Sequence, residues 1–530
     1  MYVHLYGLYK SLTKLKMKKI SYFLVAVFIS IGFQVKAHEG MWIPMLLRQN
    51  FAAMQRMGLK LTPEQIYSVN HSSLKDAIAG LSNSPNPQGF FCTSEIVSDQ
   101  GLLFTNHHCG FESVQKHSSV KHDYLKDGFW AMSQKEELPN NGLTASILVR
   151  MADVTDSITP HLSDTMSQQQ RSAIVQPIIS RLKKANSENG KYNVVIKPYF
   201  EGNKYYMLVY IVYRDIRLVG APPSSIGEFG GVTDYWMWPR QTGDFTIFRI
   251  YTAPDGSPAT YSEKNIPLKP KYHLPISLNG IKEGDFTMVW GFPGSTNRYM
   301  TAPELQFRMK HYFPPAIEAF GKKLEIWKKH MNANPVVQFK YASNYAEIAN
   351  SWKYFIGQMR GVKKQHVIAK KKAFDETFVK WVAKSSKHQA KYGEALKDIR
   401  DAFTAESKII EPLIYINITG NQGSQLIGFA QKYSELQDVL KQYKRTKDKV
   451  QKAKKLEQIK KMASIMMEQL QKSYKDYDMA TDRDVFAAMT KMYFEKVPEN
   501  MHPEYLDKMV KKYKNNFDAF ADYVFEHSHF

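Results

Sequence analysis

Cysteine is nearly absent: the 530 residues hold two, Cys92 and Cys109, so one disulfide at most can tie the chain. Beyond the N-terminus no apolar run approaches the roughly 20 residues a helix needs to cross a bilayer, which excludes a helical membrane span. No motif recurs at a fixed period, which excludes a repeat array. Proline thins out along the chain, with 17 of 24 before residue 300 and 7 after it. Acidic residues are also short, 50 Asp and Glu facing 72 Lys and Arg for a formal charge of +22. What is present argues for a folded protein. A 43% hydrophobic and 13% aromatic composition can bury a sizeable core, so wholesale disorder is excluded. A single small module is excluded too, because 530 residues hold two or three domains of ordinary size.

An excess of positive charge suits nucleic acid or an anionic surface, but part of it belongs to a leader. Residues 1–37 carry six Lys and no acid, so their removal lowers the charge to +16. From Met17 the chain reads Lys18-Lys19, an apolar stretch from Ile20 to Phe33, then Val35-Lys36-Ala37. A positive start, a short apolar stretch and small residues flanking a cut are the three parts of a secretory signal. The sequence therefore predicts export, with Met17 as the true start and cleavage after Ala37. In an exported protein two cysteines pair more readily than they stay free, which predicts a Cys92–Cys109 bridge. Much of the remaining lysine alternates with Glu and Asp on helix faces, where it reads as solvated surface, and no nucleic-acid motif is present. No nucleic-acid partner is expected.

The chain changes character near residue 300. Before it, short runs rich in β-formers lie between turns: Gly101 to Thr105, Tyr192 to Ile196, Tyr205 to Tyr213, Phe245 to Tyr251 and Phe286 to Trp290. That pattern predicts a barrel or sandwich. After it, Val450, Ala453, Leu456, Ile459, Ala463, Met466 and Leu470 recur at steps of three and four, with lysines on the other faces. That spacing predicts an amphipathic helix, and residues 297–530 read as a helical domain following a β-rich domain over 38–296.

The informative segment is Gly101-Leu-Leu-Phe-Thr-Asn-His-His-Cys-Gly110. A short apolar strand delivers His107, His108 and Cys109 at its end, and three readings stand. Neighbouring strand residues point to opposite faces and no H-E-x-x-H helix is present, so a shared zinc is disfavoured and no metal is expected. The histidines could be a structural pair. The third reading is a serine-peptidase general base, a His followed at once by a bridged Cys. Such a base needs an acid on its far nitrogen. Asp244, after Gly243 at the entrance of an alternating strand, is the candidate, with a turn or strand-start cap as its ordinary alternative. Just before it stands the aromatic stretch Tyr235-Trp-Met-Trp-Pro-Arg240.

These residues carry a resemblance. The chain resembles the bacterial dipeptidyl-peptidase 7 and 11 family of serine exopeptidases, exported enzymes that remove dipeptides from free peptide N-termini. The likeness runs from Gly40-Met-Trp-Ile-Pro44 through Thr105-Asn-His-His-Cys-Gly110, Gly230-Gly231, Trp236-Met-Trp-Pro-Arg240 and Thr242-Gly-Asp-Phe245. It continues through Gly291-Phe-Pro-Gly-Ser-Thr-Asn-Arg-Tyr299 and Tyr341-Ala-Ser to Asn350-Ser-Trp-Lys353. It implies an α+β multidomain fold, a chymotrypsin-like double β-barrel with a large helical domain inserted. It further implies His108 as general base, Asp244 as its orienting acid, and Trp236, Arg240 and Asn350 as residues holding the substrate's N-terminal end. No cofactor follows from it. A bacterial periplasm or cell surface is the implied location, peptides with free N-termini the partners, and a homodimer is left open.

Two departures stand out. Tyr235 occupies the place of a family asparagine that helps bind the substrate amino group. The family's nucleophile lies in a Gly-Asn-Ser-Gly-Ser-Pro stretch, which these 530 residues do not contain. Gly420-Asn-Gln-Gly-Ser424 puts glutamine where the serine belongs and reads as an interhelix turn. The expectation is therefore a first barrel and an α-helical cap, with the second barrel and its serine missing and the chain inactive by itself. The alternative is a noncatalytic exported protein that binds peptide N-termini.

Overall fold

The computed structural model describes residues 41–119, 121–163, 165–228, 242–294, 297 and 299–528. The expected leader, residues 1–37, lies outside them. The described residues divide into two compact units, one of residues 41–67 with 283–286 and one drawn from residues 68–282 and 287–528. In the smaller unit, helix α1 (Leu47–Arg56) precedes a short helix, Pro63–Ile66. A capping box starts the latter: Thr62 Oγ1 accepts from the Gln65 amide at 3.2 Å, and Gln65 Oε1 accepts from the Thr62 amide at 2.8 Å.

In the larger unit eleven strands among the described residues form one sheet. They are β1 (Ile78–Ser82), β2 (Cys92–Ile96), β3 (Leu102–Thr105), β4 (Phe129–Trp130), β5 (Leu138–Pro139), β6 (Thr144–Asp153), β7 (Asn193–Tyr199), β8 (Lys204–Tyr213), β9 (Asp215–Ala221), β10 (Thr246–Thr252) and β11 (Ile266–Pro267). Their order is β4-β9-β10-β3-β2-β1-β6-β8-β7, with β11 beside β10 and β5 beside β9, and each pairing is antiparallel. The order forces curvature. β8 and β9 lie six strand steps apart, about 29 Å in a flat sheet, yet Arg214 alone separates them in sequence and so limits their ends to about 7 Å. The sheet must curl until its arms meet at Arg214.

The curl encloses a core of Leu81, Ile96, Leu103, Leu218, Phe248 and Ile250. On β10 alternate residues Thr246, Phe248 and Ile250 are fully buried, the period-two signature of a strand with one face inward. Helix α2 (His107–His117) adds Phe111 and Val114 to this core. Helix α3 (Gln168–Asn186) closes a second cluster, with Val175 against Val194, Ile196, Met207 and Val209.

From Ala302 onward every described element is helical, as the breaker-poor composition predicts. Helices α4 (Phe313–Ala333) and α5 (Pro335–Lys364) are separated by Asn334, whose Oδ1 accepts from the Val336 amide at 2.9 Å. Pro335 at the first helical position suits the start of α5. Beyond them run α6 (Gln425–Arg445), α7 (Lys449–Lys475), α8 (Met479–Lys496) and α9 (Phe517–His527). Val485 and Met489 of α8 pack among Leu324, Trp327, Val337 and Tyr341. No described helix is long and apolar enough to cross a membrane.

Two expectations are corrected. Phe286 to Trp290 is not a strand. Among the described residues its β-forming composition meets no paired strand, and Val289 is 102% exposed. The His107-His108-Cys109 run is not a continuation of β3 but the first turn of α2. Asn106, with extended dihedrals (φ −69°, ψ 154°), is its N-cap position.

Candidate active site

β3 and β10 pair with Thr105 opposite Thr246, so Asp244, two residues before Thr246, is brought level with the start of α2. Its carboxylate gathers the orphan donors there. Oδ1 accepts the His107 amide at 2.6 Å and the His108 amide at 3.3 Å, while Oδ2 accepts Asn106 Nδ2 at 3.1 Å. Asn106 does not cap α2 with its own side chain. The cap is supplied by Asp244, 138 residues later. His108 Nδ1 lies 3.3 Å from Asp244 Oδ2. With the carboxylate ionised, Nδ1 carries the hydrogen and donates it, which makes Nε2 the nitrogen able to take a proton. One carboxylate thus caps a helix 137 residues upstream, rather than a turn or its own strand start, and also faces the His108 ring.

Burial works to raise the Asp244 carboxyl, but the hydrogen bond and charge of His108 and the two backbone amides outweigh it and hold the group below the usual carboxylate value. The His108 side chain is 40% exposed and that of Asp244 27%, so the pair is open to a reactant on one side. His107 is its opposite. The ring is fully buried, and neither nitrogen meets a hydrogen-bond partner at full geometry. Burial pushes it below the usual histidine value, against the nearby Asp244 charge. The ring fits against Gly227 so closely that a Cβ there would lie 2.4 Å from its Cγ. Gly243, next to Asp244, donates its amide to Ile226 O at 3.0 Å, so the same small turn braces both sides of the pair.

A disulfide joins Cys92 on β2 to Cys109 on α2, Cα to Cα 6.0 Å, which pins the helix start to the sheet. The sulfurs and a His108 nitrogen all lie within 4.8 Å of one another, but bridged sulfur is not the thiolate that a metal needs. Thr105 Oγ1 donates to Thr93 O at 2.7 Å, which ties β3 to β2 beside the bridge.

Of the other expected site residues, Trp236 and Arg240, with Tyr235 beside them, lie outside the described residues. Asn350 is half-buried on α5. That helix is held to α2 by Gln115 Nε2, which donates to Phe339 O at 2.6 Å and Lys340 O at 3.3 Å. Asn350 lies ten residues beyond Lys340, about 15 Å along the axis. Ser424 is the N-cap of α6, its hydroxyl donating to Asp482 Oδ2 at 2.9 Å, in keeping with an interhelix turn. Sequence reasoning missed the distinct place of His107. The signal was present in the helical spacing of His107, Gly110, Phe111 and Val114, all buried on one face of α2.

The comparisons assign the chain to a family of peptidases. It belongs to the Peptidase S46 family, whose model matches residues 37–530. The chain is 37% identical over 518 residues to a dipeptidyl-peptidase 7 of Porphyromonas endodontalis, covering 97% of this chain and 60% of that protein. To a dipeptidyl-peptidase 7 of Phocaeicola vulgatus it is 38% identical over 521 residues, covering 97% and 70%. An Asp/Glu-specific dipeptidyl-peptidase of Flavobacterium psychrophilum is 36% identical over 489 residues, covering 92% and 65%. Among solved structures, that of Porphyromonas endodontalis DPP11 in complex with the dipeptide Arg-Glu superposes with a TM-score of 0.78 at 32% identity, covering 92% of this chain and 68% of that one. The chain thus spans between 60% and 70% of the length of these curated relatives.

Proposed function

We propose that this chain supplies the general base and orienting acid of a serine-type dipeptidyl aminopeptidase, which releases dipeptides from the free N-termini of peptides. The observation that carries the reading is His108 Nδ1 at 3.3 Å from Asp244 Oδ2, at a disulfide-pinned helix start in a chain of the Peptidase S46 family. In the reaction His108 Nε2 takes the proton of a serine hydroxyl as its oxygen attacks the second peptide carbonyl, then returns it to the leaving amine. Water hydrolyses the acyl-enzyme by the same route, and Asp244 holds the imidazole tautomer and stabilises the imidazolium. Trp236, Arg240 and Asn350 hold the substrate's N-terminal end. The Gly-Asn-Ser-Gly-Ser-Pro stretch of the nucleophile is not among the 530 residues, so the base and acid half of the apparatus is what this chain contributes.

In this reading residues 38–296 form the peptidase domain, with the curled sheet as the first of two chymotrypsin-like barrels, and residues 297–530 form the helical cap. Ile276, Leu278, Ile281 and Val289, exposed at 60, 94, 77 and 102%, support a second β-layer that covers them. Export to a periplasm or cell surface, and a homodimer measurable by light scattering, complete the proposal.

The test is to assay purified chain on dipeptidyl chromogenic substrates and to titrate it with free and N-acetylated peptides by calorimetry. The expected result is binding that needs the free amine, without turnover. Turnover that survives His108→Ala sinks the assignment of the base, and any robust turnover contradicts the missing nucleophile. Binding indifferent to acetylation sinks the N-terminus clamp.

A further inference from the structure

Helices α6 and α7 form a hairpin that reaches away from the helical core. At its base Leu426, Phe429, Met466 and Leu470 are buried, at 7, 6, 9 and 7% exposure. Between residues 431 and 465 no described side chain is fully buried. Each helix therefore extends by about 22 to 25 Å without a core of its own. Val450, Ala453, Leu456 and Ile459 give α7 an apolar stripe here that stays exposed or half-buried, and a helical stretch without a buried core is marginal in water.

The chemistry at the tip is one-sided. From Lys441 to Lys461 the chain has ten Lys and Arg against Asp448 and Glu457, an excess of eight positive charges. Several lysines elsewhere in this chain meet acids three or four residues away, as Lys116 meets Glu112 and Lys508 meets Glu504. At the tip Lys441 and Lys460 have such partners, and Asp448 is occupied in capping α7, accepting the Gln451 amide at 2.7 Å. Lys444, Arg445, Lys447, Lys449, Lys454 and Lys461 are exposed and have no ion-pair partner among the described residues. Apolar side chains sit among them: Val450 is 66% exposed and Leu456 37%.

We propose that the tip of the α6–α7 hairpin is a docking surface for an anionic lipid bilayer. Unpaired lysines spaced along both helices match a sheet of phosphate headgroups, and each such charge near an anionic surface adds about a fivefold gain in binding. Val450 and Leu456 select the bilayer over other polyanions, since a headgroup layer accepts apolar side chains and a nucleic-acid backbone does not. The tip's aromatic, Tyr443, is covered by the Lys452 ammonium, 5.1 Å from the ring centroid, and so is not free to stack on bases. The proposal is independent of the reading of His108 and Asp244.

The experiment is co-sedimentation of the full chain with vesicles of phosphatidylcholine alone and of phosphatidylcholine with about a third phosphatidylglycerol. Binding to the anionic vesicles is expected to be at least about tenfold tighter and to fall steeply as salt shortens the screening length from about 10 Å to about 3 Å. Lys444→Glu, Lys449→Glu and Lys454→Glu together should abolish the difference while helicity and melting temperature stay as in the parent. If that variant melts early, Lys449→Glu alone should weaken binding severalfold. Val450→Ser with Leu456→Ser should weaken binding at every salt concentration. Equal binding to both vesicles, or charge variants that bind like the parent, overturns the proposal. So does a short DNA duplex that binds as tightly as the anionic vesicles and is insensitive to the Val450 and Leu456 changes.

Discussion

The backbone amide of His107 donates to Asp244 Oδ1 at 2.6 Å while the ring of His108 takes the other oxygen of the same carboxylate at 3.3 Å. One side chain thus fixes a helix start and a histidine tautomer together. Asp244→Asn should disturb both. The helix cap is worth about 1 kcal/mol, and the amide can no longer accept at both ends. In nitrogen-detected NMR the parent should show His108 protonated at Nδ1 and Asp244→Asn a mixture of tautomers. A His108 signature unchanged by the substitution would contradict the pairing.

Acid should loosen the site through His107. Its folded-state value lies below the ordinary 6.5 because of burial. Above pH 6.5 the ring is neutral in both folded and unfolded chains, and its contribution is fully present. As pH falls below that, the unfolded chain binds the proton first and stability declines until the lower folded value is reached. His107→Phe keeps an aromatic ring at a site where neither nitrogen meets a partner at full geometry and only a weaker contact with the Phe245 backbone is lost, so at pH 7.5 it should match the parent within about 1 kcal/mol. Between pH 7 and pH 5 the parent's melting temperature should fall further than the variant's. Parallel curves would remove His107 as the cause.

The Cys92–Cys109 bridge closes a loop of 17 residues, which by chain entropy is worth about 3 kcal/mol. The double substitution to Ser should lower the unfolding free energy by about that amount in a denaturant titration. It should also speed hydrogen exchange in the first turn of α2, because the helix start then depends on Asp244 alone. A loss below about 1 kcal/mol would mean that the unfolded chain keeps this loop closed without the bridge.

How much of this was legible in the sequence depends on how local each signal is. The strand of Tyr205 to Tyr213 was readable from its β-branched and aromatic run, and the structure extends it by one residue, to Lys204. Phe286 to Trp290 has the same composition, but whether a strand forms is decided by a neighbour that no local pattern reveals. The pair of His108 and Asp244 was found because each residue sits at the end of a short recognisable strand. The helix at His107 was missed because its cap lies 137 residues away, where no capping signal is sought. Burial of His107 followed from that helix and was missed with it.

A second borrowed cap tests the same principle in the helical half. Asp482 on α8 is 2% exposed and accepts from Ser424 Oγ at 2.9 Å, the Gln425 amide at 2.7 Å and the Leu426 amide at 2.9 Å. It therefore holds the start of α6 from another helix, and burial pushes its carboxyl up despite these donors. Lys323, also buried, donates to Gln422 O at 2.6 Å, and burial lowers its ammonium to about 8 against the pull of Asp482. Asp482→Asn replaces an acceptor with a donor facing other donors and should cost about 2 to 4 kcal/mol, whereas Ser424→Ala removes one cap and should cost about 1 kcal/mol. If Asp482 also compensates Lys323, then Lys323→Met should recover part of the Asp482→Asn loss, because no lone buried charge remains. Denaturant midpoints of the two single variants and the double variant measure the coupling. Additivity within about 0.5 kcal/mol would show that the two groups act independently and that the cap alone accounts for the burial of Asp482.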